Sequence, residues 1–140
     1  LWDPQLGWQP KEHQLGSSSA QHTILVLGDS FTDGLGVPTE KMWFAPLARE
    51  IDSSRVVAFG GQGYGPLQEL MILRRWKHSA DRIVVQLCSN DILNSNFELE
   101  RRTLVQRAPA PRPYLENGEF VYRFPRSFGG LFRIGTSYSW

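Results

Sequence analysis

Three short polar segments of this sequence contain the residue types that serine-based acyl transfer needs. Residues 28–30 read GDS, residues 60–65 read GGQGYG, and residues 89–91 read SND. A serine hydroxyl can act as a nucleophile, while glycine backbone N–H groups and an asparagine amide can stabilise an oxyanion. The residue types therefore indicate acyl transfer, provided that the fold brings the three segments together.

Each polar segment follows a short apolar run that predicts a buried strand. The runs are 23–27, 55–59 and 82–87, and helices are predicted between them, at about 44–51 and 66–79. This βαβαβ order predicts an α/β fold with a parallel sheet and right-handed crossovers. Because the carboxyl ends of parallel strands share one rim, we expect the three segments to meet there.

In this order and spacing, the segments resemble the sequence blocks of the SGNH (GDSL-like) hydrolase family of serine esterases. ILVLGDSFTDG resembles the first block, FGGQGYG the second and CSND the third, within about residues 23–97. The resemblance implies a flavodoxin-like three-layer α/β/α sandwich with Ser30 as the nucleophile. It also implies that the backbone N–H groups of Ser30 and Gly63 and the side-chain amide of Asn90 bind the oxyanion. One departure is Cys88, which occupies a position where the family usually has glycine.

The base that would activate Ser30 is not found in this sequence. In the family a histidine from a late Asp-x-x-His block takes the serine proton, and the 140 residues contain no such block. His22 and His78 belong at the opposite rim, a strand length of about 17 Å away. His13 lies in a segment that the sequence does not place. We therefore expect a truncated domain with little or no activity, whose final strands and Asp-x-x-His loop follow Trp140 in the full protein.

Several candidate residues also have structural interpretations. Asp29 and Asp91 are candidate substrate-binding residues, although a hydrogen-bonding role in the turns explains Asp29 better and Asp91 equally well. Ser30, taken alone, would be a helix N-cap. Cys88 is expected to be a small buried residue rather than a thiol nucleophile. Dinucleotide binding is disfavoured because Pro66 replaces the last glycine of a GxGxxG loop.

The segments before and after the predicted βαβαβ unit differ in composition and in predicted structure. Residues 1–22 mix Trp, Pro and Gly without periodicity, which predicts an N-terminal arm that ends in a linker. Residues 23–140 would form the partial hydrolase domain, with a β-hairpin insertion at about 113–124 centred on Asn117-Gly118. Arginines and aromatic residues alternate in 107–140, as in some single-strand nucleic-acid binders. A hairpin with one packed face explains this pattern better, so we expect no nucleic-acid partner.

Composition limits the partners and cofactors. Hydrophobic residues make up 41% and charged residues 21%, as in ordinary globular domains. The net charge of +1 argues against a phosphate-backbone or anionic-membrane binder, and no apolar run approaches the ~20 residues of a transmembrane helix. The single cysteine, Cys88, excludes an internal disulfide and a multi-cysteine zinc site, and no metal or cofactor is expected. The oligomeric state stays open, as does the compartment, which could be extracytoplasmic or periplasmic.

The leading hypothesis is a serine hydrolase that cleaves acyl esters through an acyl-Ser30 intermediate. The expected substrate is a small-molecule or glycan acyl ester, so the enzyme would be an esterase, a lipase or a carbohydrate O-acetylesterase. The resemblance leans slightly toward bacterial carbohydrate O-acetyl chemistry. The alternative is a catalytically inactive SGNH-like binding or assembly module, and an Asp-x-x-His block beyond Trp140 would distinguish the two.

Overall fold

The computed structural model describes residues 2–51, 53–102 and 112–123, which form an α/β fold around a four-stranded sheet. The strands are β1 (Trp2–Asp3), β2 (Gly7–Trp8), β3 (Lys11–Leu15), β4 (His22–Gly28), β5 (Ser54–Gly60), β6 (Arg82–Val85), β7 (Arg112–Glu116) and β8 (Glu119–Arg123). The helices are α1 (Ser30–Asp33), α2 (Ala45–Glu50), α3 (Pro66–Trp76), α4 (Ser89–Asn94) and α5 (Phe97–Glu100). Two 3₁₀ turns occupy Thr39–Lys41 and Lys77–Ser79. None of the helices within these described ranges has the length and apolar content needed to cross a bilayer.

The central sheet has the order β3-β5-β4-β6, and β4, β5 and β6 are parallel. The predicted βαβαβ unit and the α/β class are therefore confirmed. In register, Gly28 lies beside Gly60 and Leu27 beside Val85, so the carboxyl ends of the three parallel strands are level.

Helices cover both faces of the central strands. Alternate side chains of a strand point to opposite faces, and the two hydrophobic clusters follow this rule. One cluster packs α3 through Ile72 against the Leu25 and Val57 face. The other packs α2 and the preceding loop, including Phe44, against the Ile24 face. The central strands thus lie between two helical layers.

The N-terminal segment contributes a strand to the sheet, which its lack of sequence periodicity did not indicate. Strand β3 pairs antiparallel with β5, and Leu6 is fully buried in the α3-side cluster. In β3 only His13 is buried. Because the strand sequence KEHQL lacks the apolar alternation of a half-buried strand, the usual sequence signal is absent.

Strand β6 lies at the opposite edge of the sheet and is poorly covered. Within the described ranges it pairs only with β4. Its residues Ile83 and Val85 lie beside Leu25 and Leu27, yet each of the β6 pair is 45% exposed. Among the residues that the structure describes, the layer that buries the α3-side face at the centre therefore does not extend over β6.

A β-hairpin follows the α/β unit, as the sequence predicts. Strands β7 and β8 pair antiparallel around Asn117 and Gly118, whose φ angles are 52° and 84°. Two consecutive positive φ angles are the requirement of the type I′ turn that Asn-Gly favours. The hairpin spans 112–123, close to the predicted 113–124, and the rest of the arginine- and aromatic-rich stretch 107–140 lies outside the described residues.

Candidate functional site

The three polar segments lie at one rim of the sheet. The segment with Ser30 follows β4, the segment with Gly63 follows β5, and the segment with Asn90 follows β6. Since these strands are parallel and level, their following loops emerge at the same edge.

Ser30 is the first residue of the single-turn helix α1 and is half-buried. The N-cap is Asp29, whose Oδ1 accepts a hydrogen bond of 2.9 Å from the backbone N–H of Phe31. The cap role is thus filled by the preceding residue, and the Ser30 hydroxyl makes no hydrogen bond with any residue that the structure describes. This hydroxyl is available for other chemistry.

Two glycines let α1 sit directly on the ends of the strands. A Cβ atom on Gly60 would lie 2.0 Å from the backbone nitrogen of Asp33, and one on Gly28 would lie 2.2 Å from Oγ1 of Thr32. Neither separation is possible for real atoms, so an added Cβ would displace the backbone of α1 at Gly60 and the Thr32 side chain at Gly28. The close approach therefore fixes the height of Ser30 above the sheet.

Gln86 holds the turn that carries Ser30 in place. Its Oε1 atom accepts hydrogen bonds from the backbone N–H of Asp29 at 3.3 Å and from the Thr32 hydroxyl at 3.1 Å. The indole N–H of Trp43 also donates to the Thr32 hydroxyl oxygen, at 3.3 Å. Sequence reasoning missed Gln86, although a lone polar residue in the apolar run 82–87 is the signal that could have identified it.

Asn90 is connected to the turn that carries Ser30. Its Nδ2 atom donates to Oδ2 of Asp29 over 3.2 Å, and its side chain is half-buried. An asparagine amide has two N–H donors, so one can orient the side chain while the other points elsewhere. The structure thus brings Asn90 and the Ser30 turn together, as the sequence predicts for neighbouring loops.

The Gly63 loop is held in place at several points. Gly63 has φ of 68°, in the left-handed region that favours glycine. Its carbonyl oxygen accepts a hydrogen bond from Nη2 of Arg112, on strand β7. The backbone N–H of the next residue, Tyr64, donates to the Gly61 carbonyl at 3.0 Å. The backbone carbonyl of Tyr64 accepts a hydrogen bond of 3.3 Å from Nδ2 of Asn94. The loop conformation therefore depends on side chains from α4 and from the hairpin.

Three carboxyl groups are buried beneath the rim. Asp29 is 0%, Asp91 2% and Glu69 3% exposed. Oδ2 of Asp91 accepts from the backbone N–H of Cys88 at 2.6 Å. Such burial favours the structural interpretation of Asp29 and Asp91, because neither carboxylate presents a surface to a substrate. Within the described ranges these acids do not form a metal-binding group.

The buried acids also influence each other. Burial, with the nearby charges of Asp91 and Asp29, raises the pKa of Glu69 to about 7. Burial raises the pKa of Asp91 too, against the opposing effect of the Cys88 N–H bond. Oε1 of Glu69 and Oδ1 of Asp91 have no hydrogen-bond partner among the described residues. Glu69 was not identified from the sequence, because an acid in the first turn of a helix such as α3 is ordinarily exposed.

No histidine in the described ranges is placed to act as the base for Ser30. His22 begins β4 and His78 lies in the 3₁₀ turn before β6, both at the amino-end rim as predicted. His13 is buried, and its ring nitrogens lie 2.9 Å from Oγ1 of Thr39 and 3.1 Å from the Asp33 carbonyl oxygen. Burial lowers the pKa of His13 despite that carbonyl contact. Both nitrogens of the one histidine near α1 are therefore already engaged.

Comparisons with known proteins add no family assignment to this geometry. No family model, curated protein or solved structure matches the chain.

Proposed function

We propose that the protein is a serine hydrolase of the SGNH type, which cleaves acyl esters through an acyl-Ser30 intermediate. The observation that carries this proposal is the hydrogen bond from Asn90 to Asp29, the residue next to Ser30. It joins the candidate nucleophile turn to a neutral side-chain donor at one sheet rim. An unengaged serine hydroxyl beside such a donor suits acyl transfer better than it suits a turn with only a structural role.

In the proposed reaction, Oγ of Ser30 attacks the acyl carbonyl carbon and its proton passes to a histidine base. The tetrahedral oxyanion accepts hydrogen bonds from the N–H groups of Ser30 and Gly63 and from the amide of Asn90. Collapse of this intermediate breaks the ester C–O bond, and the base protonates the leaving alcohol. Water then attacks the acyl-serine, which releases the carboxylic acid and restores the Ser30 hydroxyl. Loss of one oxyanion donor typically costs about 2.7–4 kcal/mol of transition-state stabilisation.

The proposal also requires a histidine base that these 140 residues do not supply in an Asp-x-x-His block. We propose that an Asp-x-x-His block downstream of Trp140 supplies it, as the resemblance to the family implies. The proposed substrate class is a small-molecule or glycan acyl ester, with carbohydrate O-acetyl esters favoured by the same resemblance.

The test uses the full-length natural protein and p-nitrophenyl acetate. Wild-type protein is expected to hydrolyse the ester, and Ser30→Ala is expected to reduce turnover by at least about a thousandfold. Ser79→Ala is the matched control, since Ser79 is exposed at the opposite rim and should leave turnover unchanged. Unchanged turnover in Ser30→Ala would contradict the assignment of the nucleophile.

The second candidate function is a catalytically inactive binding or assembly module. The observation in its favour is that no described histidine reaches the Ser30 hydroxyl. An organophosphonate probe separates the two candidates, because it labels only an activated serine. Stoichiometric labelling of full-length protein, lost in Ser30→Ala, supports the enzyme. Absence of both labelling and turnover supports the module.

A further inference from the structure

Arg112 connects the C-terminal hairpin to the Gly63 loop. It is the first residue of β7, and the whole residue is only 3% exposed. Its Nη2 atom donates to the Gly63 carbonyl oxygen, and its Nη1 atom donates to Oε1 of Glu100 at 2.5 Å. A single buried guanidinium therefore contacts a candidate oxyanion-hole residue and a buried carboxylate at once.

The partner carboxylate is itself held rigidly. Oε2 of Glu100 accepts a hydrogen bond of 2.5 Å from the hydroxyl of Tyr114, a residue only 1% exposed. The Tyr114 ring packs edge-on against Phe97, with ring centroids 5.4 Å apart. These contacts fix the direction in which Arg112 points.

Stability alone is a weak explanation for this buried ion pair. The desolvation of two charges offsets much of their attraction, and replacement by apolar residues is often neutral or stabilising. What a planar guanidinium supplies is geometry, because its fork of donors fixes two acceptors relative to each other. Here the two acceptors are Glu100 and the Gly63 carbonyl.

The backbone of Gly63 needs contacts from other residues to hold it in one conformation. Glycine has the widest choice of backbone conformations, and Gly63 occupies the left-handed region at φ of 68°. The carbonyl and the N–H of Gly63 are attached to the same Cα atom. They belong to adjacent peptide planes, so a hydrogen bond that anchors the carbonyl restrains one plane directly and leaves the direction of the N–H to the φ and ψ angles of Gly63.

We propose that Arg112 is a positioning residue of the oxyanion hole, which holds the Gly63 N–H toward the reacting acyl oxygen. This inference rests on the proposed function. It means that the hairpin takes part in building the catalytic site, in addition to lying beside it.

The experiment compares two arginines that face each other across the hairpin. Arg112 and Arg123 are register partners, but Arg123 is exposed and pairs with Glu116. In the full-length protein, Arg112→Lys keeps the positive charge but lacks the planar fork that reaches two acceptors. Its kcat for p-nitrophenyl acetate is expected to fall about 10- to 100-fold, the effect of a small misplacement of catalytic groups. KM should change less than about twofold, because the substrate ground state does not use the oxyanion hole.

A second readout follows the oxyanion hole itself. An aryl boronic acid forms a tetrahedral adduct with an active serine and places an oxygen in the hole. Its affinity is expected to fall in Arg112→Lys by the same factor as kcat, and to be unchanged in Arg123→Lys. A role limited to stability would lower the melting temperature without changing either value in the folded enzyme.

The outcomes separate this inference from the proposed function. If wild-type turnover does not depend on Ser30, the proposed function fails. If turnover depends on Ser30 but folded Arg112→Lys keeps kcat and boronate affinity within about twofold of wild type, only the Arg112 inference is overturned. Should Arg112→Lys not fold, Tyr114→Phe removes only the hydroxyl that orients Glu100. That variant is expected to lower kcat and boronate affinity together, and unchanged values for both would overturn the inference.

Discussion

Asn90 donates its side-chain amide to Oδ2 of Asp29 over 3.2 Å, across a sequence separation of 61 residues. The other carboxylate oxygen of Asp29 accepts the backbone N–H of Phe31. Asp29 thus serves as a common acceptor for the turn that carries Ser30 and for the proposed oxyanion donor, with one carboxyl oxygen for each bond.

Asp29→Asn tests this common acceptor. An asparagine cannot accept with both side-chain atoms, so one of the two N–H donors would face another N–H group. We expect the free energy of unfolding to fall by about 1–3 kcal/mol, and kcat of the full-length protein to fall with it. Urea unfolding and the p-nitrophenyl acetate assay measure the two effects. Asp33→Asn is the matched control, because among the described residues the Asp33 side chain accepts only an exposed bond from Gln62. This change should cost less than about 0.5 kcal/mol.

Gly60→Ala tests the contact between α1 and the end of β5. The added methyl would overlap the backbone of Thr32 and Asp33, so α1 has to move away from the sheet. We expect a loss of about 1–3 kcal/mol or more in the free energy of unfolding, together with reduced turnover.

The control for this change is Gly36→Ala, which has open space around its Cβ position but a φ of 76°. It isolates the backbone cost of a left-handed residue, about 1–2 kcal/mol, without any overlap. Equal effects of the two substitutions on turnover would contradict the role assigned to the α1 contact.

Glu69→Gln tests the raised pKa of the buried acid. The pKa of Glu69 lies at about 7 in the folded protein against an ordinary value of 4.5. The native state therefore binds more protons than the unfolded chain between these two values, and the free energy of unfolding falls as pH rises through that window. Removal of the acid is expected to stabilise the protein above pH 7, by up to about 3 kcal/mol, and to have little effect below pH 4.5.

Urea unfolding of both proteins at about pH 4 and about pH 8 measures this difference. The contrasting variant is Glu116→Gln, because the hydrogen bond from Arg123 lowers the pKa of Glu116. That acid contributes stability above its unfolded pKa, and the contribution is lost as pH falls through its folded value. The two substitutions should therefore change the pH profile in opposite directions, and a parallel change would contradict the assignment.

Tyr64→Phe tests how the N-terminal segment is attached. The buried Tyr64 hydroxyl donates to the backbone carbonyl of Trp8. Its loss leaves a carbonyl without that donor, so we expect about 1 kcal/mol of destabilisation in urea unfolding. Tyr122→Phe removes a comparable bond to the Gln5 carbonyl at an exposed site and should cost less. A larger loss in Tyr122→Phe would argue against the buried attachment.

The sequence was sufficient for the parallel strands and the hairpin turn, because their signals are local. Continuous apolar runs marked β4 and β5, and Asn117-Gly118 marked the turn. Helix α3 was predicted as an element, but its sequence did not indicate that Leu70 would be 37% exposed and Glu69 buried. Burial of that acid depends on neighbours far along the chain, including Asp91 and Asp29, which no helical periodicity records.

For the candidate site, the sequence predicted the positions of the three loops but not the contacts that support them. Its three loops follow from strand order, since parallel strands place their carboxyl ends together. The supporting contacts did not follow, because Gln86 and Arg112 act through bonds to residues 57 and 49 positions away. Nothing in a local pattern specifies such a pairing.

The two edge strands of the central sheet, β3 and β6, differ in the side chains that they expose. Strand β3 presents exposed polar residues at its border, including Lys11, Glu12 and Gln14, and charged borders discourage pairing with a further chain. Strand β6 presents the half-exposed apolar side chains of Ile83 and Val85. The β3 border is therefore the better protected of the two against pairing with a further strand.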